Sequence, residues 1–205
     1  MTITERWKRI QREIGAVPDG QPGVETIGKL EQRLEIGSIG APAILPIAAI
    51  DTRSAENLQT LLLAVRPVFS QLVLAGKKIA AKYGCDYKAI GGTRTYAEQA
   101  ALYAQGRTKP GNVVTRAKPG FSNHNFGIAI DNGVFRGNEY LDSSEPATAE
   151  KIHRELSEWA KKNMPGEIEW GGDWRSFPDT PHFQFKTGLT LAQMRARVAA
   201  GRAIV

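Results

Sequence analysis

Cysteine and histidine are scarce in this 205-residue sequence, and their scarcity limits the chemistry available to it. The single cysteine, Cys85, excludes an internal disulfide bond and any zinc site built from several cysteines. No nucleophile motif surrounds Cys85, which precedes a predicted strand, so we predict a buried, inert thiol. With only three histidines, a site that depends on imidazole has few candidate residues.

Long apolar runs are missing as well. No stretch approaches the ~18 apolar residues of a membrane-spanning helix. The opening sequence MTITERWKRIQREIG has no apolar segment of the kind found in secretory signal peptides. We therefore expect synthesis in the cytoplasm and no stable membrane association, so that any outward passage needs another protein.

The charge is unbalanced, with a formal net charge of +6 that favours acidic partners such as nucleic acids, anionic surfaces or acidic wall polymers. The basic residues do not form a tract and few aromatic residues lie among them, so we expect no nucleic-acid binding. Hydrophobic residues make up 41% of the chain and charged residues 23%, which is ordinary for a globular protein.

The length allows one full domain and a small accessory module. Residues 1–36 are predicted to form a helical hairpin around a turn at Asp19-Gly20, too short to bury a core of its own. Residues 37–50 are rich in glycine, proline and alanine and are predicted to be a linker. Residues 51–205 form the main predicted domain.

In the main domain, helical and strand patterns interleave without a regular βαβ repeat, which predicts an α+β fold. Apolar residues from Leu58 to Leu72 lie on one helical face, and Pro67 should kink this helix or begin a second one. Three predicted strands lie around Ile90, in NFGIAIDNGVF and in HFQFK. His153 falls in the charged helix KIHRELSEWAKKN, so we predict a solvated surface side chain.

Two short segments place the other two histidines near carboxylates. His124 and Asp131 flank Gly127, which lets the chain bend between a loop and a strand so that both side chains can converge. His182 opens a predicted strand after a proline-containing turn that points Asp179 to the same side.

Two imidazoles and one carboxylate are a ligand set of catalytic zinc, with the fourth position left for water. A further carboxylate beside that water would act as general base and acid, and Asp179 is placed for that role. Lone histidines are more often structural or surface residues, so spacing alone leaves both interpretations open.

A resemblance to a known family favours the zinc interpretation. The pattern S-x-H-x2-G-x-A-x-D from Ser122, then WGGDW from Trp170 and D-x2-H from Asp179, resembles the zinc D-alanyl-D-alanine peptidases and L-alanyl-D-glutamate endopeptidases. The similarity is strongest to the endopeptidases of phage endolysins and bacterial wall enzymes. Gly92-Thr93-Arg94-Thr95 matches the upstream G-x-R-[ST] segment of the family.

This resemblance implies a hedgehog-like zinc peptidase domain and a role for each matching residue. His124, Asp131 and His182 would bind zinc, and Asp179 would be the acid and base. Arg94 would stabilise the oxyanion or clamp a substrate carboxylate. Weaker expectations concern the substrate-binding residues, namely Ser122, Trp170, Asp173 and Trp174, of which Trp170 fits the core equally well.

The implied function is hydrolysis of peptidoglycan stem peptides, with the L-Ala-D-Glu bond as the first choice. The alternatives are a D-Ala-D-Ala carboxypeptidase or dipeptidase, and a wall-binding protein without catalysis on the same fold. Residues 1–36 resemble the peptidoglycan-binding modules of wall hydrolases, although a hairpin that binds nothing fits as well. Together these features predict a monomeric phage or prophage endolysin, released by a holin-type partner to act on the wall.

Overall fold

The computed structural model describes Glu5, Lys8, Arg9, Gln11, Arg12 and residues 50–205. The chain divides into two compact units, Met1–Ile44 and Leu45–Val205, and the described residues 50–205 belong to the second. The predicted hairpin at 1–36 and the predicted linker at 37–50 lie almost entirely outside the described residues and stay predictions. None of the helices in the described part is long and apolar enough to cross a membrane.

The domain has an α+β fold, as predicted. Its helices are α1 (Thr52–Gln59), α2 (Arg66–Ala81), α3 (Tyr96–Ala104), α4 (Leu141–Ser144), α5 (Pro146–Asn163) and α6 (Leu191–Ala199). Its strands are β1 (Asp86–Gly91), β2 (Ala129–Arg136), β3 (Glu139–Tyr140), β4 (Ile168–Trp170) and β5 (His182–Phe185). Short 3₁₀ turns cover Leu63–Val65, Asn123–Phe126 and Gly171–Asp173.

The strands pair antiparallel in the order β1-β2-β5-β4, and β3 pairs with the end of β2. The helices α2 and α5 pack on one face of this sheet around an apolar core. Phe69, Leu72, Ile130, Leu156 and Phe183 are almost completely buried there. Each such side chain contributes about 1.5–3 kcal/mol to folding by leaving water.

Pro67 begins a second helix, which was one of the two predicted outcomes. It occupies the first turn of α2, where a helix needs no backbone N–H from that residue. The predicted apolar face therefore spans α1, a 3₁₀ turn and α2, and Leu58, Val65 and Leu72 are all buried. The strands around Ile90, in NFGIAIDNGVF and in HFQFK are confirmed as β1, β2 and β5.

The prediction of a solvated His153 is wrong. Its side chain is completely buried between two polar partners: Tyr87 Oη lies 2.9 Å from Nδ1, and Asp142 Oδ1 lies 2.8 Å from Nε2. The charged residues around it in α5 face solvent while His153 faces the core. The charged composition of this helix therefore does not indicate the burial of each residue in it. The Cys85 thiol is half-buried, less buried than predicted, and it donates a hydrogen bond to the Tyr83 carbonyl.

Candidate active site

Three nitrogen and oxygen atoms converge on the open face of the sheet. His124 Nε2, Asp131 Oδ1 and His182 Nδ1 are 3.1 Å from one another along all three sides of a triangle. They form the one cluster among the described residues in which three such side chains could hold a metal ion. The sequence-predicted ligand set is therefore brought together.

The sheet register explains why Asp131 and His182 meet. The two residues lie directly opposite each other on the paired strands β2 and β5. Side chains alternate along a strand, so Asp131 faces the site while its neighbours Ile130 and Asn132 face the buried helices. On β5, His182 and Gln184 face the site and Phe183 enters the core.

His124 reaches the same point from the 3₁₀ turn before β2. That turn ends at Gly127, whose φ of 67° lies in the left-handed region that suits glycine. The His124 carbonyl accepts a hydrogen bond from the Arg94 N–H at 3.0 Å, which ties the turn to the segment after β1. The bend predicted at Gly127 is thus confirmed.

In its neutral form, each imidazole presents an unprotonated nitrogen to the triangle. His124 Nδ1 lies 2.7 Å from the Gly92 carbonyl, which can only accept a hydrogen bond, so this nitrogen carries the proton. His182 Nε2 lies 3.1 Å from Gln184 Oε1, an oxygen that also accepts a hydrogen bond from Asn123 Nδ2. The lone pairs of the opposite ring nitrogens therefore point into the triangle.

The donor set fits zinc. Bonds of ~2.0–2.1 Å in tetrahedral geometry place neighbouring ligand atoms ~3.3 Å apart, close to the 3.1 Å sides observed. Burial raises the pKa of Asp131, but the positive charges that His124 and His182 carry when protonated, together with their hydrogen bonds, outweigh it and hold this pKa well below its usual value. Asp131 is therefore anionic at neutral pH, as a metal-binding carboxylate must be.

The triangle lies in a cleft of about 540 Å³ that Asp179 and Arg94 also line. Burial and the negative charge of Asp131 raise the pKa of Asp179 above its usual value. A carboxylate with a raised pKa can exchange a proton more readily near neutral pH, as an acid and base requires. Arg94 Nη2 contacts Asp131 Oδ2, and its Nη1 donates to Gln99 Oε1 at 3.3 Å.

Gly171, the first glycine of the WGGDW motif, lies in close contact with the Asp179 backbone. The Asp179 N–H donates a 3.0 Å hydrogen bond to the Gly171 carbonyl. A Cβ at Gly171 would lie 2.5 Å from the Asp179 carbonyl oxygen, a distance that real Cβ atoms essentially never show. Glycine is thus required for this close approach.

The four residues predicted to bind substrate separate into two pairs. Ser122 and Trp174 line the cleft, and the Trp174 ring centroid lies 5.0 Å from that of His182. Trp170 is instead in the core, 2% exposed, stacked on Phe183 and donating from Nε1 to the Thr180 carbonyl. Asp173 lies outside the cleft in an ion pair with Lys161, because the 3₁₀ turn directs it outward.

Several cleft residues were not predicted from the sequence. Gln184 could have been found, since the period of two in HFQF places it on the face of His182. Tyr140, whose pKa is raised to about 12 by burial and by nearby carboxylates such as Asp142, carries no local signal. Arg116 and Phe177 come from loops, whose path the sequence pattern does not reveal.

Comparison with known proteins supplies the family. A sequence profile described as D-alanyl-D-alanine carboxypeptidase matches residues 115–185. The peptidoglycan L-alanyl-D-glutamate endopeptidase CwlK of Bacillus subtilis is 39% identical over 126 residues, which cover 58% of this chain and 72% of CwlK.

Two solved structures are also similar, at lower levels. The L-Ala D-Glu endopeptidase ChiX of Serratia marcescens has a TM-score of 0.42 and 21% identity, covering 70% of this chain and 95% of ChiX. The vancomycin-resistance D,D-pentapeptidase VanY, solved with Zn(II), has a TM-score of 0.40 and 15% identity, covering 70% of this chain and 81% of VanY. On the strength of its identity to CwlK, the chain belongs to the metallopeptidase family of the D-alanyl-D-alanine carboxypeptidases and L-alanyl-D-glutamate endopeptidases.

Proposed function

We propose that this protein is a zinc-dependent endopeptidase that hydrolyses the L-Ala-D-Glu bond of peptidoglycan stem peptides. The observation that carries the proposal is the convergence of three metal-binding atoms beside a carboxylate with a raised pKa in one cleft. The choice of bond is supported by the identity to CwlK, which is named for that activity.

In this mechanism His124, Asp131 and His182 would hold the metal. A zinc ion bound there would supply Lewis-acid chemistry, polarising the scissile carbonyl and lowering the pKa of a water molecule. Asp179 accepts a proton from the attacking water and returns it to the leaving amine, a role that its raised pKa favours.

Arg94 has a supporting role in the proposal. Its contact with Asp131 keeps that ligand oriented, and its position in the cleft suits stabilisation of the developing oxyanion. Ser122 and Trp174 would contact the bound peptide, since both line the cleft beside the metal ligands.

The decisive experiment combines metal analysis with a digest of purified peptidoglycan by the wild type and by Asp179→Asn. We expect one zinc ion per chain in both proteins and new amino-terminal glutamate only from the wild type. Loss of a general base lowers the rate by ~10²–10⁴-fold, which mass spectrometry of the products would resolve. Zinc without cleavage by either protein would favour a wall-binding protein that has no catalytic activity.

A second candidate activity is removal of D-alanine from the end of the stem peptide. The matching profile at residues 115–185 is named for D-alanyl-D-alanine carboxypeptidases, which favours this alternative. The same digest separates the two, because free D-alanine or its dipeptide would appear without new amino-terminal glutamate.

A biological role as a phage or prophage endolysin is part of the proposal. The net charge of +6 suits binding to anionic wall polymers, and residues 1–36 would add a wall-binding module. Induced expression in a bacterial host should lyse cells only when a holin-type membrane-permeabilising protein is co-expressed. Lysis without that partner would contradict release from the cytoplasm by a holin, and gel filtration would test the expected monomer.

A further inference from the structure

Arg116 is a cleft residue to which the proposed mechanism gives no role. It lines the same cleft as Asp131 and Asp179, and its guanidinium carbon lies 4.5 Å from the centroid of the Phe177 ring. Within residues 50–205, no carboxylate forms an ion pair with Arg116. Its charge is therefore available to an anion that enters the cleft.

The backbone on both sides of Arg116 is held in place. The Thr115 carbonyl accepts a 3.0 Å hydrogen bond from Arg107 Nη2, and the Ala117 carbonyl accepts one of 2.8 Å from Gln99 Nε2. Gln99 is completely buried, so it provides a rigid anchor. A side chain on a fixed backbone loses less conformational freedom when it binds a ligand.

The second cleft arginine differs in this respect. Arg94 already contacts the carboxylate of Asp131 and donates to Gln99, so its charge is paired within the candidate metal site. Arg116 instead lies against an exposed aromatic ring, an arrangement that holds the guanidinium without using its N–H groups.

We propose that Arg116, held by Phe177, binds the free carboxylate of the acidic residue next to the scissile bond. A glutamate within a peptide uses one carboxyl group for the chain and keeps the other free, whichever of the two continues the backbone. The guanidinium fork matches a carboxylate through two parallel hydrogen bonds. This inference rests on the proposed endopeptidase function and assigns Arg116 as its specificity-determining residue.

The test compares two synthetic stem peptides that differ only in glutamate or glutamine after the scissile bond. For the glutamate peptide, Arg116→Gln should raise KM about ten-fold or more with kcat nearly unchanged, as expected for the loss of one exposed charge-assisted contact. For the glutamine peptide the same variant should behave like the wild type. Phe177→Leu should show a smaller effect in the same direction.

The matched control is Arg154→Gln. Arg154 is also an exposed arginine near an aromatic ring, 5.3 Å from the Trp170 centroid, but it lies on α5 outside the cleft. Its KM values for both peptides should equal those of the wild type. The effect of Arg116→Gln should also shrink at 1 M salt, where exposed charges are screened.

Calorimetric binding of both peptides to Asp179→Asn separates a failure of this inference from a failure of the proposed function. If the wild type cleaves the glutamate peptide but Arg116→Gln keeps full discrimination against glutamine, the assignment of Arg116 is overturned and the function stands. If the wild type cleaves neither peptide, the proposed function fails. In that case peptide binding decides. If Asp179→Asn binds the glutamate peptide more tightly than the glutamine peptide, and this preference disappears in the Arg116→Gln, Asp179→Asn double variant, the assignment of Arg116 is supported. Equal binding of the two peptides to Asp179→Asn would overturn that assignment.

Discussion

The floor of the cleft, formed by His124, Asp131, His182 and Gln184, differs sharply from its rim, formed by Val114, Arg116, Phe121 and Phe177. On the floor, His124 and His182 are at most 5% exposed as residues, and each candidate metal ligand has a hydrogen-bond partner. On the rim, Phe121 and Phe177 are 51% and 46% exposed.

The difference follows from the elements that carry each region. The floor belongs to paired strands and one 3₁₀ turn, whose register fixes each side chain against its neighbour. The rim residues lie on loops. There the aromatic rings of Phe177 and Phe121 are contacted by the guanidinium groups of Arg116 and Arg195 and not by paired strands. The side chains that would hold a metal in a defined geometry thus lie on the sheet and its adjoining turn, and the rim side chains lie on loops, where their positions can adjust.

The largest expected effect comes from breaking the floor itself. Asp131→Asn removes the anionic ligand and leaves two imidazoles with a neutral amide, so bound zinc should be lost and activity should fall by ~10³-fold or more. Metal analysis and the peptidoglycan digest measure the two effects. Glu150→Gln, which removes an exposed carboxylate on α5, should retain both metal and activity.

A smaller effect on zinc binding is expected at Gln184, which contacts the candidate ligand His182. Gln184→Met removes the oxygen that accepts the His182 proton, so zinc affinity should fall by ~10–100-fold. Competition with a chelator of known affinity measures the change. Gln184→Glu keeps an acceptor at this position and should bind zinc more tightly than Gln184→Met; equal losses would show that the contact does not orient His182.

Gly171→Ala tests the link between the floor and the loop that carries Asp179. The added Cβ would lie 2.5 Å from the Asp179 carbonyl oxygen and 3.1 Å from His182 Cβ, so the Asp179 backbone must move most and His182 much less. We expect kcat to fall by up to ~100-fold because a displacement of about 1 Å at a reacting group can have this effect. Zinc content should stay near that of the wild type, and loss of zinc would instead place the disturbance at His182.

A substitution on the opposite face of β2, away from the cleft, is expected to stabilise the protein. Asn132 is completely buried, and neither polar atom of its side chain has a protein hydrogen-bond partner within the described residues. Asn132→Leu, similar in shape, should therefore stabilise the protein by about 1 kcal/mol. Denaturant unfolding measures this gain, and a loss of stability would mean that the amide is satisfied in solution.

The smallest expected effect is on protein stability and concerns Asp51, the N-cap of α1, which lines neither the floor nor the rim of the cleft. Burial raises its pKa, but hydrogen bonds from Ser54 and the charge of Lys77 outweigh it, so the pKa lies below its usual value. Because the folded protein favours the ionised form, the Asp51 carboxylate stabilises the fold. This stabilisation is complete above the pKa of ~3.9 that Asp51 has in the unfolded chain, and it is lost as the pH falls through the lower pKa of Asp51 in the folded protein.

Asp51→Asn keeps a good N-cap and removes only the charge. At pH 7 we expect the variant to be less stable than the wild type by roughly 0.5 kcal/mol, as is usual for a partly exposed ion pair. The difference should disappear as the pH approaches 2, and thermal unfolding at several pH values would detect it. A constant difference across this range would exclude the charge as its cause.

Much of the site was predictable because its ligands lie in short motifs. His124 and Asp131 share one segment around Gly127, and His182 follows Asp179 by three residues, so spacing and the family resemblance identified them. Trp170 and Asp173 were harder, because a motif names residues without saying which of them face the cleft. His153 was misjudged because a single buried position in a charged helix has no distinct local composition.

Sequence pattern alone predicted the strands β1, β2 and β5, the helices α2 and α5, and the residues of the candidate metal site with its candidate acid and base. These are local properties, set by hydrophobic period, by turn residues and by motifs within a few positions. Three contacts became evident only in the folded structure: Asp131 lies opposite His182, the Asp179 N–H donates to the Gly171 carbonyl, and Arg116 lies over Phe177. Such contacts join distant segments through strand register and loop path, which depend on how the whole chain packs.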